Sequence, residues 1–236
     1  MTPMLNDRQE HILEQLQNSG HVGVDNLAGT LAVTTQTIRR DLAELCDLGL
    51  AARVHGGARK LVSTSMVAYE NRRTVGVDAK KGIARGAAEL IPNGASVAIN
   101  IGTTTEQVAR ELTLHKDLTV VTNNINVAHI LRSARLRSLN VVGGEVRQSD
   151  GAIVGPDARD AIAKFRVDFA VIGASSMDED GSILDFDQRE VAVARAILAN
   201  ARVKILVCDA SKFDVSAPFR ICNVDRLNFV VTSTPP

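Results

Sequence analysis

Two unequal domains are predicted, a small helical one at the N-terminus and a larger α/β one built on a parallel sheet. Three observations carry this. Within residues 1–60, apolar positions recur at helical spacing in three short segments, then give way to a strand, a Gly-Gly turn and a basic return. From Asp78 onward, segments of helical period alternate with short strands that are apolar throughout, the pattern of a parallel sheet covered on both faces. Between them, residues 61–77 have no clear period and hold Ser63-Thr64-Ser65, as a linker does. The expected division is therefore 1–60, a linker over 61–77, and 78–236.

The first helix is expected over Asn6 to Gln17, with Ile12, Leu13 and Leu16 on one side. A second fits Val24 to Leu31, with Leu27 and Leu31 inward. The third opens after a short turn at Val33-Thr34. Ile38, Leu42 and Leu45 fall at i, i+4 and i+7, one apolar stripe. Thr34 suits the N-cap, and Val33 and Ile38 stand where a hydrophobic staple places them. Thr35, Gln36, Thr37, Arg39 and Arg40 lie off the stripe. Hydroxyl, amide and guanidinium groups crowded at one helix end match base edges and phosphates in the major groove of operator DNA. The plain alternative is an amphipathic helix whose Arg40 and Glu44 pair on the surface. The two preceding helices favour a helix-turn-helix. After Gly49, the stretch Leu50 to Lys60 reads as a wing, with Arg53 and His55 as further DNA contacts.

Composition narrows the class. With 45% apolar and 23% charged residues, the chain is an ordinary globular one. No apolar run approaches the ~18 residues of a membrane span. The N-terminus lacks the pattern of a secretory signal, so no membrane association and a cytoplasmic location are expected. The three cysteines are widely spaced and the five histidines form no ligand cluster, so neither metal nor cofactor is expected. Net charge is zero, which argues against strong non-specific binding to nucleic acid. Up to Lys60 there are six cations and seven acids, but five of those cations lie on the third helix and the wing. Modest affinity per subunit is expected, with tight binding requiring paired half-sites and a homo-oligomer.

In the second domain, helices are expected at 79–91, 106–112, 125–132, 156–164 and 191–200. Strands are expected at 95–101, 118–122, 139–142, 168–173, 204–208 and 227–232. Ligands of such a Rossmann-like sheet sit beyond the carboxyl ends of its strands. Asn100 to Thr105 runs from strand to helix there. Its Gly102, Thr103, Thr104 and Thr105, with free helix N–H groups, make a phosphate cradle. Capping boxes of Thr103 with Glu106, or Thr104 with Gln107, are the structural alternative, and both roles can coexist. Asn123 and Asn124 can supply amide contacts to a polyol or cap the next helix. Gly143 and Gly144 permit close backbone approach, and Arg147 can pair with a phosphate or simply sit in a tight turn. Asp187 and Glu190 are expected to form a capping box, with Phe186 and Val191 as a staple. Lys212 can reach a phosphate as a point charge. Arg72 and Arg73, in the linker, are expected to be solvated.

Thr35-Gln36-Thr37-Ile38-Arg39-Arg40-Asp41-Leu42 and the wing Arg53-Val54-His55-Gly56-Gly57-Ala58 together resemble the DeoR-type repressors, which respond to sugar phosphates. The resemblance extends through Ile91 to Gly94, Ile101 to Thr104, Val121 to Asn124, Gly143 to Glu145, Asp150-Gly151, Asp180 to Ser182 and Ser211 to Phe213. It implies an effector domain similar in fold to ribose-5-phosphate isomerase and glucosamine-6-phosphate deaminase. It also implies a homo-oligomeric repressor, a dimer or tetramer, of a carbohydrate or polyol operon. Such a repressor leaves DNA when a small phosphorylated sugar or polyol binds, here glycerol 3-phosphate. By that resemblance Gly102 to Thr105 and Lys212 are the phosphate contacts; Asp180 is counted with Asn123, Asn124, Gly143, Gly144 and Arg147 among the further effector-site candidates. Gly23 departs from the family's usual Ser at the start of the second helix, and costs a few tenths of a kcal/mol as the weaker cap. The competing reading is a sugar-phosphate isomerase or deaminase with a DNA-binding-like appendage, using Asp180, Asp185 and Lys212 as acid/base groups. An activator is the third reading.

Overall fold

The computed structural model describes residues 5–48, 50–54, 56–60, 69, 72–213, 215 and 217–233 of the chain. It divides into two units, Met1–Thr64 and Ser65–Pro236.

The first unit runs α1 (Asp7–Ser19), β1 (His21–Gly23), α2 (Val24–Thr30), α3 (Thr35–Asp47), β2 (Ala51–Val54) and β3 (Gly57–Lys60). Asn6 and Gln9 close a reciprocal capping box on α1, and Gly20 in the left-handed region ends the helix. Thr34 caps α3 as expected, accepting from the Thr37 amide at 3.2 Å. Ile12, Leu16, Leu27, Ile38 and Leu45 are sealed together in the core. Burial of each such side chain contributes about 1.5–3 kcal/mol, so the apolar stripe decides which face of α3 turns outward.

The wing is larger than its sequence suggested. β1 pairs antiparallel with β3, giving a sheet of order β1-β3-β2. Three residues with one buried side chain leave no periodic signal, so β1 was not expected. Gly57 sits at the close approach of these strands. A Cβ there would lie 2.0 Å from the Val22 carbonyl oxygen. α2 begins at Gly23 with no side-chain cap.

In the second unit, β4 (Ser96–Ile99), β5 (Leu118–Thr122), β6 (Leu136–Val141), β9 (Val167–Ile172), β12 (Ala201–Cys208) and β14 (Phe229–Thr232) form one sheet. Its order is β14-β12-β9-β4-β5-β6, and every pairing is parallel. Helices α4 (Val77–Glu89), α5 (Thr103–Leu112) and α6 (Ile125–Leu131) bury Ile83, Val108 and Val127 in one core. On the opposite face α7 (Pro156–Ile162) and α8 (Gln188–Ala199) bury Ile162, Val191 and Ile197 in a second. The α/β class expected of this region is the one observed. Both α5 and α8 begin three residues earlier than their apolar spacing indicated, because their first turns are polar.

Two groups of short strands lie outside the large sheet, where the sequence shows only loops or no clear pattern. β7 (Glu145–Arg147) and β8 (Ala152–Val154) form an antiparallel hairpin. β10 (Ser176–Met177), β11 (Ser182–Asp185) and β13 (Phe219–Asn223) form a small antiparallel sheet. Glu-Val-Arg and Ser-Met are too short and too mixed in polarity to show a period of two. Among the described residues, no helix is long and apolar enough to cross a membrane.

Candidate DNA-reading face and effector site

On α3, Gln36, Arg39 and Arg40 are exposed, and Thr35 and Thr37 half-buried. The Arg39 side chain makes no hydrogen bond or ion pair among the described residues. Arg40 has the helical partner that the plain reading named, Glu44, at 3.7 Å with both side chains largely exposed. Such a pair is worth little, and leaves Arg40 easy to recruit. Arg53 stands exposed on β2. His55 lies outside the described residues. Behind the face, Asp41 is buried and takes a two-point contact from Arg8, which fixes α3 against α1.

The strand ends of the second unit carry the other candidates. Gly102, at φ 140°, turns the chain from β4 into α5 and stands at the N-cap without a side-chain cap. Neither expected capping box forms. Glu106 instead turns its buried carboxylate to Tyr69 and Asn126. The Thr105 hydroxyl is buried within reach of the carbonyls of Asn100 (3.0 Å) and Gly102 (2.8 Å), and Asn100 accepts from the Gly173 amide. These contacts set the loop and leave Thr103 and Thr104 at the helix start.

Asn124 is the N-cap of α6, its Oδ1 accepting from the amides of Asn126 (2.8 Å) and Val127 (3.3 Å). Asn123 is fully buried and donates to the Ile153 carbonyl at 3.0 Å. Asn123 Oδ1 and Asn124 Nδ2 have no partner among the described residues, although both are buried. Buried polar atoms are normally satisfied, so these two orphaned amide atoms mark a polar position at the strand end that the described residues leave open. Gly144, at φ 144°, packs where a Cβ would lie 3.0 Å from Ile153 and 3.3 Å from the Ala158 amide. Gly143 beside it is exposed.

Arg147, for which the sequence left a phosphate contact and a tight turn equally open, is surrounded by carboxylates. Its guanidinium reaches Asp150 (2.6 and 2.9 Å), Asp187 (2.7 Å) and Glu190 (2.6 Å). Burial works against its charge, but the hydrogen bond to Asp150 and the charge of Glu190 outweigh this and raise its pKa. Asp187 does cap α8, but onto the Arg189 amide. The expected capping box is absent, because Glu190 is drawn away to Arg147. Asp180 sits at the turn between β10 and β11, accepting from the Ser182 amide at 2.8 Å, with Arg220 at 3.5 Å. Asp185 is buried and accepts from Ser175 at 2.8 Å.

Lys212 ends a 3-10 turn opened by Asp209, which accepts from the Ser211 amide. Burial opposes the charge of Asp209. Hydrogen bonding from Ser211 and the charges of Lys212 and Lys80 outweigh it and hold the carboxyl below its ordinary range. Lys80 is a further residue of this region that no sequence motif marks. It is buried, and its ammonium donates to the carbonyls of Arg72 and of Val75 (2.7 Å). A signal existed, since Lys80 shares the buried face of α4 with Ile83, Ala84 and Ala87. Arg73 was expected to be solvated, yet its Nε lies 3.8 Å from buried Glu106. Among the described residues, no group of His, Cys, Asp and Glu side chains is placed to hold a metal ion.

Comparison with known families matches residues 8–64 to the DeoR-like helix-turn-helix domain and residues 76–234 to the DeoR C terminal sensor domain. The chain belongs to the DeoR family. Among DeoR-family relatives, the glycerol-3-phosphate regulon repressor of Escherichia coli K12 is 41% identical, over 97% of this chain and 91% of that protein. The E. coli K12 repressor CsqR is 38% identical, over 98% of this chain and 88% of its own. Among solved structures, eIF2B delta from Chaetomium thermophilum overlays with TM-score 0.50 at 18% identity, across 72% of this chain and 61% of that one. That likeness is one of fold alone. In this DeoR-family chain, both matched segments contain candidate residues: α3 in the helix-turn-helix, the strand-end loops in the sensor domain.

Proposed function

We propose that this chain is a transcriptional repressor that reads operator DNA through α3 and the wing, and that a phosphorylated polyol releases it. The observation that carries the proposal is the division of α3. Ile38, Leu42 and Leu45 are buried while Gln36, Arg39 and Arg40 are exposed, a polar reading face on a fixed support. Thr35 and Thr37 lie on the same helix, Arg53 is exposed on β2, and His55, outside the described residues, is kept as a candidate from the sequence. The zero net charge supports a homo-oligomer that gains affinity from paired half-sites.

For the effector, the cap-free start of α5 at Gly102 to Thr105 is suited to a phosphate. Lys212, with buried Lys80 behind it, supplies positive charge. The unpartnered amide atoms of Asn123 and Asn124 suit polyol hydroxyls. Arg147 fits better as the anchor of the acidic residues around it than as a phosphate ligand. The regulon named for the E. coli relative makes glycerol 3-phosphate the effector to try. Release requires that the effector bind the DNA-incompetent state more tightly, since equal affinity for both states shifts nothing.

The enzyme reading has less support. Hydrogen bonding from Ser182 holds the Asp180 carboxyl below its ordinary value, away from the range a general acid or base needs. The relatives named above are repressors.

Fluorescence anisotropy on DNA from upstream of a glycerol-utilisation operon, at stated salt, tests the proposal. Tight binding that is lost on titrating glycerol 3-phosphate is the expected result. Binding that ignores it would reopen the effector to other sugar phosphates, and binding no better than to random DNA would send the protein to a sugar-phosphate turnover panel.

A further inference from the structure

One chain of hydrogen bonds joins the strand-end loops to the segment that follows the N-terminal unit in sequence. Tyr69, only 4% exposed, donates its hydroxyl to Glu106 Oε1 and accepts from Asn126 Nδ2 at 2.7 Å. Asn126 Nδ2 also lies 3.2 Å from Glu106 Oε1 and 2.9 Å from the Asp150 carbonyl. Arg73 adds its charge 3.8 Å from Glu106, with its guanidinium 5.9 Å from the centre of the Tyr69 ring. Lys80 fastens the same segment through the carbonyls of Arg72 and Val75.

The two hydrogen-bond partners of Tyr69 belong to different strand-end loops, and Asn126 passes the chain on to the Asp150 carbonyl. Glu106 is in the first turn of α5, directly after Gly102 to Thr105. Asn126 is in the first turn of α6, directly after Asn123-Asn124. Asp150 lies in the β7–β8 turn and holds Arg147. Two of the proposed effector loops therefore meet at one phenol, and the β7–β8 turn is joined to them through Asn126. Burial, then the bond to Glu106, push that phenol's pKa far above its ordinary value, so it remains a donor.

We propose that Tyr69 is a positioning residue that couples occupancy of the strand-end loops to the connecting segment, and through it to operator affinity. This rests on the repressor reading above. A buried, charge-assisted hydrogen bond weakens steeply with small displacements. A phosphate seated on the start of α5 acts on the turn that carries Glu106, and so acts differently on the made and the broken bond. That difference is what allosteric coupling requires.

The chain has one tyrosine and no tryptophan, so its tyrosine emission reports on Tyr69 alone. The full chain is titrated with glycerol 3-phosphate, and separately with inorganic phosphate, while emission and binding heat are followed. A saturable emission change, with the midpoint given by calorimetry, is expected. Tyr69→Phe should keep its ligand and operator affinities. The effector-induced loss of operator affinity should shrink from the ~5–150-fold usual between coupled sites to about twofold or less. Binding heat without an emission change, or a Tyr69→Phe chain that releases DNA as the parent does, would overturn the coupling role and leave the repressor reading standing. No binding heat with either compound would overturn the effector reading and this inference together.

Discussion

Arg8 and Asp41 join the first and third helices through two parallel contacts, Nε to Oδ2 at 2.5 Å and the second guanidinium nitrogen to Oδ1 at 3.0 Å. Asp41 lies on the back of the helix that bears Arg39 and Arg40, so this pair fixes the support of the proposed reading face. Asp41→Asn is expected to lower the thermal midpoint of the N-terminal unit. Arg8→Ala added to it should lower the midpoint little further, because the shared contact is already gone. Additive losses in that double-mutant cycle would show that the two residues act independently.

Arg39→Ala and Arg40→Ala should each weaken operator binding while leaving the far-UV spectrum and melting unchanged. If the lost contact is to phosphate, the slope of log affinity against log salt falls by about 1. If it is to a base edge, the cost is about 1–3 kcal/mol and specificity relaxes at one position. Anisotropy at several salt concentrations separates the two. Full operator affinity in both variants would remove α3 as the reading helix.

Lys212→Ala should leave operator affinity as it is and raise the glycerol 3-phosphate concentration needed for release. Loss of a point charge on a phosphate, with the helix start at Gly102 retained, weakens the effector without abolishing it. Calorimetry with the ligand provides the check, and an undiminished response would take Lys212 out of the site.

Glu190 predicts a pH dependence. Burial, then the charge of Asp185, push its carboxyl from 4.5 up to about 8, against the pull of Arg147. Between those values the folded chain binds more protons at this group than the unfolded chain does. Its stability contribution is therefore complete below about pH 4.5 and is lost as pH rises through about 8. Glu190→Gln should flatten the fall in sensor-domain melting temperature across that window. A fall as steep as the parent's would place its source elsewhere.

Much of the architecture was legible because it follows from local periods. The stripe Ile38, Leu42 and Leu45, the Thr34 cap and the apolar strands Leu118–Thr122 and Val167–Ile172 stand where spacing put them. The three-residue strands β1, β7 and β8 were not legible, because a period of two needs more residues than they have. The capping boxes at Thr103 and Asp187 were written in the correct residue types and still did not form. At both sites the Glu meant to close the box found a stronger partner far along the chain.

Sequence by itself determined the longer helices, the strands of the large sheet and the parallel pairing of that sheet. These follow from backbone geometry and the burial of apolar faces, both of which repeat along the chain. Only the tertiary structure decided the partners of the charged and polar groups. Arg147 and Glu190 are 43 positions apart, and Tyr69 and Glu106 are 37 apart. No periodicity spans such separations. An ion pair or buried hydrogen bond depends on where packing brings two side chains together, and on the loss of water that makes the pairing matter.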